Sequence, residues 1–282
     1  MQRIEKLNSA TEGLSTTGVH PQTSSFEVNV DGEVLWCVRR ADACASVTLD
    51  QLVEQQQLDE QLLRGTFPVK WKVLTSSHPS LFCLGGDLEL FLDCIERRDE
   101  ATLLDYGLRA AHCVWSNASG FGPRRLGSIA LVQGEAQGGG FEVALSCHWL
   151  VATRTANFGF PESLFGIKPG MGAHTLLAAR VGEELAERMI SSANRYSAEF
   201  LHEIGVVDLL VEPGDAHEAV QRIAKEHVRL IAPGSVDTLR ALPYQDLVIG
   251  VEHWVSAVMS VSERHRRSMR YLLDAQRRRA IR

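Results

Sequence analysis

Short apolar runs with strand periodicity alternate along this chain with longer runs of helical spacing, and that alternation limits the fold more than any other feature. Residues 26–30 and 33–38 alternate on either side of Asp31-Gly32, a strong signal for a hairpin with a type I′ turn. Residues 48–64 carry Leu49, Leu52, Val53, Leu58, Leu62 and Leu63 at helical spacing and stop at Gly65. Residues 69–75 read as a strand, and 81–87 turn the chain into one helical stretch from Leu88 to about Asn117. A buried strand over 128–133 ends at Gly134. A short helix over 141–147, a strand over 149–153, a helix over 173–193 and a last strand over 206–211 follow, with the remainder mostly helical. The order predicts α/β layering in place of a sandwich or a bundle, and its loose rhythm is consistent with stacked ββα turns.

A chain of 282 residues is long enough to bury one large core. Residues 1–25 are polar and contain no apolar signal-like segment, so they are expected to form a flexible N-terminal arm. The core is expected over 26–212 and a helical C-terminal region over 213–282. A net charge of −6 gives no nucleic-acid signal, and no apolar run reaches the ~20 residues of a membrane span. Cys37, Cys44, Cys83, Cys94, Cys113 and Cys147 are irregularly spaced without a C-x-x-C pair, which fits reduced thiols in a cytoplasm. There is no H-E-x-x-H, and lone histidines such as His148 and His174 read as structural residues.

Two glycine-marked junctions stand out. Gly138-Gly139-Gly140 follows a strand and opens a helix, whose first N–H groups lack intrahelical partners and carry partial positive charge. The run lacks the spacing of a dinucleotide fingerprint and the Lys-Ser/Thr of a P-loop. A tight turn explains it equally well. Gly85-Gly86-Asp87 is a second such junction, with Asp87 as helix N-cap and the Gly86 N–H as a candidate donor. Two such sites can offer two N–H donors to one carbonyl oxygen. Glu142 and Glu162 each sit in an apolar, glycine-marked setting where a carboxylate is costly. Their bland explanations are a first-turn glutamate favoured by the helix dipole and an exposed loop residue. There is no G-x-S-x-G elbow, so hydrolysis would need a carboxylate-activated water.

The ordered segments Phe82-Cys-Leu-Gly-Gly-Asp87, Gly138-Gly-Gly-Phe-Glu142-Val-Ala-Leu, Phe158-Gly-Phe-Pro-Glu162-Ser-Leu-Phe-Gly166 and Pro169-Gly-Met-Gly172 resemble the crotonase (enoyl-CoA hydratase/isomerase) superfamily, over roughly residues 26–230. Within it the chain is most similar to the diffusible-signal-factor synthases, which make cis-2-unsaturated fatty acids for quorum sensing. Residues 39–47 depart from the segment that usually shapes the CoA pocket, and Gly172-Ala-His-Thr-Leu departs from the usual glycine-loop end.

The resemblance implies a spiral of ββα turns with a helical C-terminal trimerisation region. It implies an oxyanion hole from Gly86 and Gly139, and Glu142 and Glu162 as catalytic acid and base. Substrate would be bound by Leu84, Gly85, Gly138, Leu164, Phe165, Met171 and Trp254, although ordinary core packing explains the larger of these side chains equally well. No cofactor or metal is implied. The partner would be an acyl carrier protein thioester or an acyl-CoA, and the assembly a homotrimer. The implied activity is dehydration of a 3-hydroxyacyl-acyl carrier protein and thioester hydrolysis to a free acid. A conventional enoyl-CoA hydratase or a non-enzymatic binding protein of the same fold are the alternatives. The arginines at 264, 266, 267, 270, 277, 278, 279 and 282 form either a solvated helical face or a docking patch for an acidic partner.

Overall fold

The computed structural model describes residues 25–226 and 242–280. The expected N-terminal arm lies outside the described residues, except for Ser25. Strands β1 (Phe26–Asp31) and β2 (Val34–Arg39) form the antiparallel hairpin. Asp31 pairs with Val34, so the two loop residues are Gly32 and Glu33, one position later than the sequence signal placed them. Gly32 has φ +58° and Glu33 keeps a negative φ. That is the pattern of a type II′ turn, which needs glycine only at its first central position.

Helix α1 (Leu49–Arg64) starts at Thr48, whose side chain accepts from Gln51 N, and ends on left-handed Gly65. Then come β3 (Trp71–Ser76) and β4 (Leu81–Cys83). The single helix expected after them is two, α2 (Leu88–Arg97) and α3 (Glu100–Ser119). Arg98 takes a left-handed conformation (φ +57°), and Asp99 caps the new helix through Thr102 N. The chain continues through β5 (Gly127–Val132), β6 (Glu135–Gln137), α4 (Gly139–Ser146), β7 (Trp149–Thr153) and β8 (Asn157–Gly159). A 3-10 turn, Pro161–Phe165, leads to α5 (Ala173–Val181) and α6 (Glu183–Ser191). The sequence reads these last two as one helix. Gly182, at φ +84° and ψ 160°, breaks it. The chain closes with β9 (Arg195–Ser197), α7 (Ala198–Glu203), β10 (Leu209–Val211), α8 (Ala216–Glu226), α9 (Tyr244–Met259) and α10 (Glu263–Ala280).

The strands sort into two sheets, one in the order β1-β2-β3-β5-β7-β10 and one in the order β4-β6-β8-β9. From β2 onward the first sheet is parallel. Each of the pairs β3/β4, β5/β6 and β7/β8 gives its first strand to the large sheet and its second to the small one. A helix follows each pair, so the chain winds as a spiral of ββα turns. The large sheet is buried on both faces, as parallel sheets are. Trp36, Val73, Ile129 and Val151 on one face pack with Val220 and Ile223 of α8. Leu35, Leu74, Ala130 and Leu150 on the other face join the main core with α1 and α3. This two-sided burial explains why the strands are near-continuous apolar runs.

Candidate active site

The site forms where two spiral turns abut. Residues 45–47 lie alongside residues 84–86: Leu84 N donates to Ala45 O (2.9 Å) and Val47 N donates to Gly85 O (2.8 Å). Buried Arg39 fixes the start of this segment, donating to Ala45 O at 2.6 Å and also to Phe82 O. Tyr106 of α3 donates to Val47 O (2.8 Å) and accepts from Asp87 N (3.4 Å), which pins the Gly86 turn. Asp87 caps α2 through Glu89 N and Leu90 N, both at 3.1 Å. Beside it lies the start of α4. A β-carbon on Gly85 would stand 3.4 Å from Gly139 N, and one on Gly139 would stand 3.9 Å from Gly86 N. Among the described residues neither the Gly86 nor the Gly139 N–H is engaged by another group. Two free donors therefore border one small volume.

Glu142 lies on the first turn of α4 and is 1% exposed, so the surface explanation for it fails. Its Oε1 accepts from Met171 N (2.8 Å) and Ala173 N (3.1 Å), at the start of α5. Burial pushes its pKa up to about 7, partly offset by those two donors. Glu162 stands on the 3-10 turn. Its residue is half-buried, yet its Oε2 is enclosed and lacks a hydrogen-bond partner among the described residues. Burial first, then the charge of Glu142, pushes its pKa up to about 8. Gly138 makes room for this carboxylate: a β-carbon there would lie 2.3 Å from Glu162 Oε1. Gly138 also adopts φ +53° and ψ −126°, a region side chains disfavour.

Glu142, Glu162, Gly85, Gly86, Gly138, Gly139, Leu84, Phe165, Met171 and Trp254 all line one largely apolar cleft of about 840 Å³, its mouth included. Leu164 does not join them. It is 54% exposed on the outer side of the 3-10 turn, while its neighbour Phe165 takes the inward position. Phe91, Tyr106, Val251 and Gln276 also line the cleft. Phe91 packs edge-on against both Tyr106 and Trp254, with centroids 5.1 Å away in each case. Helical spacing marks Phe91 and Tyr106 only as core residues. Gln276 was a weak signal, an uncharged polar residue in an arginine-rich run.

Gln276 belongs to α10, which folds back over its own chain. Gln276 Nε2 donates to Leu84 O at 3.0 Å, and Leu272 lines the cleft beside it. Two of the clustered arginines tie α10 to α2: Arg270 meets Glu96 (3.0 Å) and Arg277 meets Glu89 (2.6 Å). Arg266 and Arg270 also meet Glu263 (3.6 and 3.3 Å), within α10 itself. Among the described residues there is no group of three or more His, Cys, Asp or Glu that could hold a metal ion, and no helix long and apolar enough to cross a membrane.

The arrangement can stabilise charge on a carbonyl oxygen and move protons between two carboxyls in an apolar space. The enoyl-CoA hydratase/isomerase family model matches residues 61–243. The chain is 37% identical over 120 residues to the peroxisomal fatty acid beta-oxidation multifunctional protein AIM1 of Arabidopsis thaliana, covering 43% of this chain and 16% of that protein. It is 27% identical over 199 residues to the putative enoyl-CoA hydratase/isomerase YngF of Bacillus subtilis, covering 71% and 73% of the two chains. Among solved structures, Pseudomonas aeruginosa DspI superposes with a TM-score of 0.65 at 29% identity, covering 80% of this chain and 82% of that one. An enoyl-CoA hydratase from Bacillus halodurans gives a TM-score of 0.72 at 18% identity, covering 88% and 100%, a likeness of fold alone. The chain spans only about a fifth of the length of the first multifunctional relatives it matches. On its sequence match and its spiral fold, the chain belongs to the enoyl-CoA hydratase/isomerase family.

Proposed function

We propose that the protein is a dehydratase and thioesterase that converts a 3-hydroxyacyl-acyl carrier protein into a free cis-2-unsaturated fatty acid, a diffusible quorum-sensing signal. The observation that carries the reading is the convergence of the Gly86 and Gly139 N–H groups with two partly protonated carboxyls in one apolar cleft. The thioester oxygen would lie between the two N–H donors, which take up the charge of the enolate. Glu162 removes the C2 proton. Glu142 protonates the C3 hydroxyl, which leaves as water while the C2=C3 bond forms. Removal of one such N–H donor typically costs roughly 10²–10³ in rate. Hydrolysis then adds water to the thioester carbonyl through an oxyanion in the same hole, and expels the carrier thiol. One of the two carboxylates serves as base for that water. The unusual residues 39–47, held by Arg39 against the Gly86 turn, favour a carrier-bound thioester over CoA. The likeness to DspI supports the same reading.

The same pair of raised carboxyls also supports a second reading, because it can run the reaction in either direction. With the proton on Glu142 and Glu162 ionised the pair is set for dehydration; with the proton on Glu162, Glu142 activates water and Glu162 protonates C2, which is hydration. A conventional hydratase acting on CoA thioesters is therefore the alternative. Mass spectrometry of products from 3-hydroxydodecanoyl-acyl carrier protein, with the CoA thioester in parallel, separates the two. Free cis-2-dodecenoic acid from the carrier-bound substrate is the expected result. Reversible hydration of the CoA thioester without free acid would sink the proposal.

A further inference from the structure

Behind the catalytic cleft lies a second, partly open chamber of about 620 Å³, its mouth included, bordered by α1, α3 and the inner face of the large sheet. The cleft and the chamber share a wall made of Val47, Leu52, Cys113 and Val143. Val143 follows Glu142 directly in the chain, so this wall stands next to the reacting carboxyls. Beyond it apolar residues, among them Leu74 and Phe82, alternate with the buried polar residues Arg39, Gln55 and Thr75, whose side chains are tied to neighbouring groups by hydrogen bonds.

Two of its polar residues have unmet hydrogen-bonding capacity. Gln51 of α1 and Asn117 of α3 line the chamber and are 2% and 1% exposed. Their amide nitrogens are engaged, Gln51 Nε2 with Cys44 O (3.0 Å) and Asn117 Nδ2 with Ser146 Oγ (3.3 Å). Their oxygens, Gln51 Oε1 and Asn117 Oδ1, have no hydrogen-bond partner among the described residues. Buried acceptors without donors are rare, and capping them with a hydrocarbon is costly. They need water or another donor in front of them.

We propose that this chamber receives the distal aliphatic part of the acyl chain, admitted across the Val47, Leu52, Cys113 and Val143 wall, and that Gln51 and Asn117 set where the chain must stop. The inference rests on the reading of the protein as an acyl-thioester enzyme. A chain that passes the wall buries its methylenes against Leu74 and Phe82. A longer one meets the two amide oxygens and displaces the donors they require. Cys113 acts only as wall, since burial raises its thiol pKa and keeps it protonated. Each methylene moved from water into such a chamber contributes ~0.8 kcal/mol, which is roughly fourfold in affinity.

The test compares the wild-type protein with Cys113→Phe, which fills the wall, and Leu74→Ala, which deepens the chamber. One arm measures kcat/KM for 3-hydroxyacyl thioesters from four to fourteen carbons. The other follows binding of saturated fatty acids of the same lengths by tryptophan fluorescence, with Trp254 in the cleft as reporter. Blocking two methylenes predicts that Cys113→Phe loses roughly 15-fold more kcat/KM on the twelve-carbon substrate than on the four-carbon one. Leu74→Ala should move the preferred length up by about two carbons. Equal loss at every length, or fatty-acid affinity in the wild type that does not grow with chain length, would overturn the inference. If no thioester turns over, the proposed function fails, and the fatty-acid arm still decides this chamber. If Cys113→Phe does not fold, the wild type and Leu74→Ala decide it.

Discussion

Two clusters of buried charge sit in this molecule, and they are built on opposite principles. In one, Lys72 of β3 meets Asp59 of α1 at 2.5 Å, with their side chains 1% and 0% exposed. Gln55 donates to the same carboxylate at 3.1 Å, and the ammonium lies 5.1 Å from the centre of the Phe121 ring. Burial pulls Lys72 toward neutrality, but the Asp59 carboxylate together with the nearby Cys37 and Cys113 outweighs it, and its pKa ends raised. In the other, Glu142 and Glu162 have no cationic partner among the described residues; backbone N–H groups and each other are what they meet. Their pKa values rise to about 7 and about 8, where a proton can be exchanged near neutral pH. A matched pair fixes α1 to the sheet. An unmatched pair stores a cost that chemistry can use. Burial alone does not mark a catalytic group; burial without a compensating charge is the better sign.

The sharpest way to break this contrast is to neutralise each cluster. Glu142→Gln and Glu162→Gln should each lower turnover by roughly 10²–10⁴-fold, the usual worth of a positioned acid or base. Both should also make the fold more stable at pH 8. The folded carboxyls hold protons up to about 7 and 8, whereas the unfolded chain releases them near 4.5, so stability falls as pH rises between those limits. The gain from glutamine should therefore fade toward pH 4, which denaturant titrations at the two pH values would read directly. An equal gain at both would contradict the assignment of raised pKa values.

Asp59→Asn should do the reverse, destabilising the fold by about 3–5 kcal/mol by leaving Lys72 charged and alone, with turnover per folded molecule unchanged. Restoring an apolar match with Asp59→Leu and Lys72→Met together should recover most of that loss. A double variant as unstable as the single one would show that the pair does more than cancel charge.

The smallest effect is expected at the surface. Arg270→Ala removes the contacts with Glu96 and Glu263, all about half-exposed, and such pairs typically contribute no more than ~1 kcal/mol. The melting temperature should move by no more than about 2–4 °C, and less at high salt. A larger drop would mean that the ion pairs on α10, and not Gln276, hold the lid on the cleft.

The ββα rhythm, the hairpin, the glycine stop of α1, the Asp87 cap of α2 and the apolar, glycine-marked settings of both glutamates were legible because they rest on local signals: apolar period, glycine, N-cap chemistry. The failures were also local in cause. Arg98 and Gly182 break helices whose apolar spacing runs on across them, and periodicity does not report a backbone reversal. The short strands β6, β8 and β9 have three residues each, too few to show a period. Leu164 and Phe165 are adjacent and both apolar, so only the 3-10 turn decides that the first faces out and the second faces the cleft.

The sequence by itself determined which residue types could do chemistry and in which order the layers stack, because those follow from composition and from contacts close along the chain. Only the tertiary structure decided that Gly86 and Gly139 offer their N–H groups to one volume, that Glu142 and Glu162 share it, that Tyr106 and Gln276 brace it, and that Asp59 finds Lys72. These pairings join residues far apart in the chain. They are fixed by how two sheets and a returning helix pack, and no local period encodes that distance.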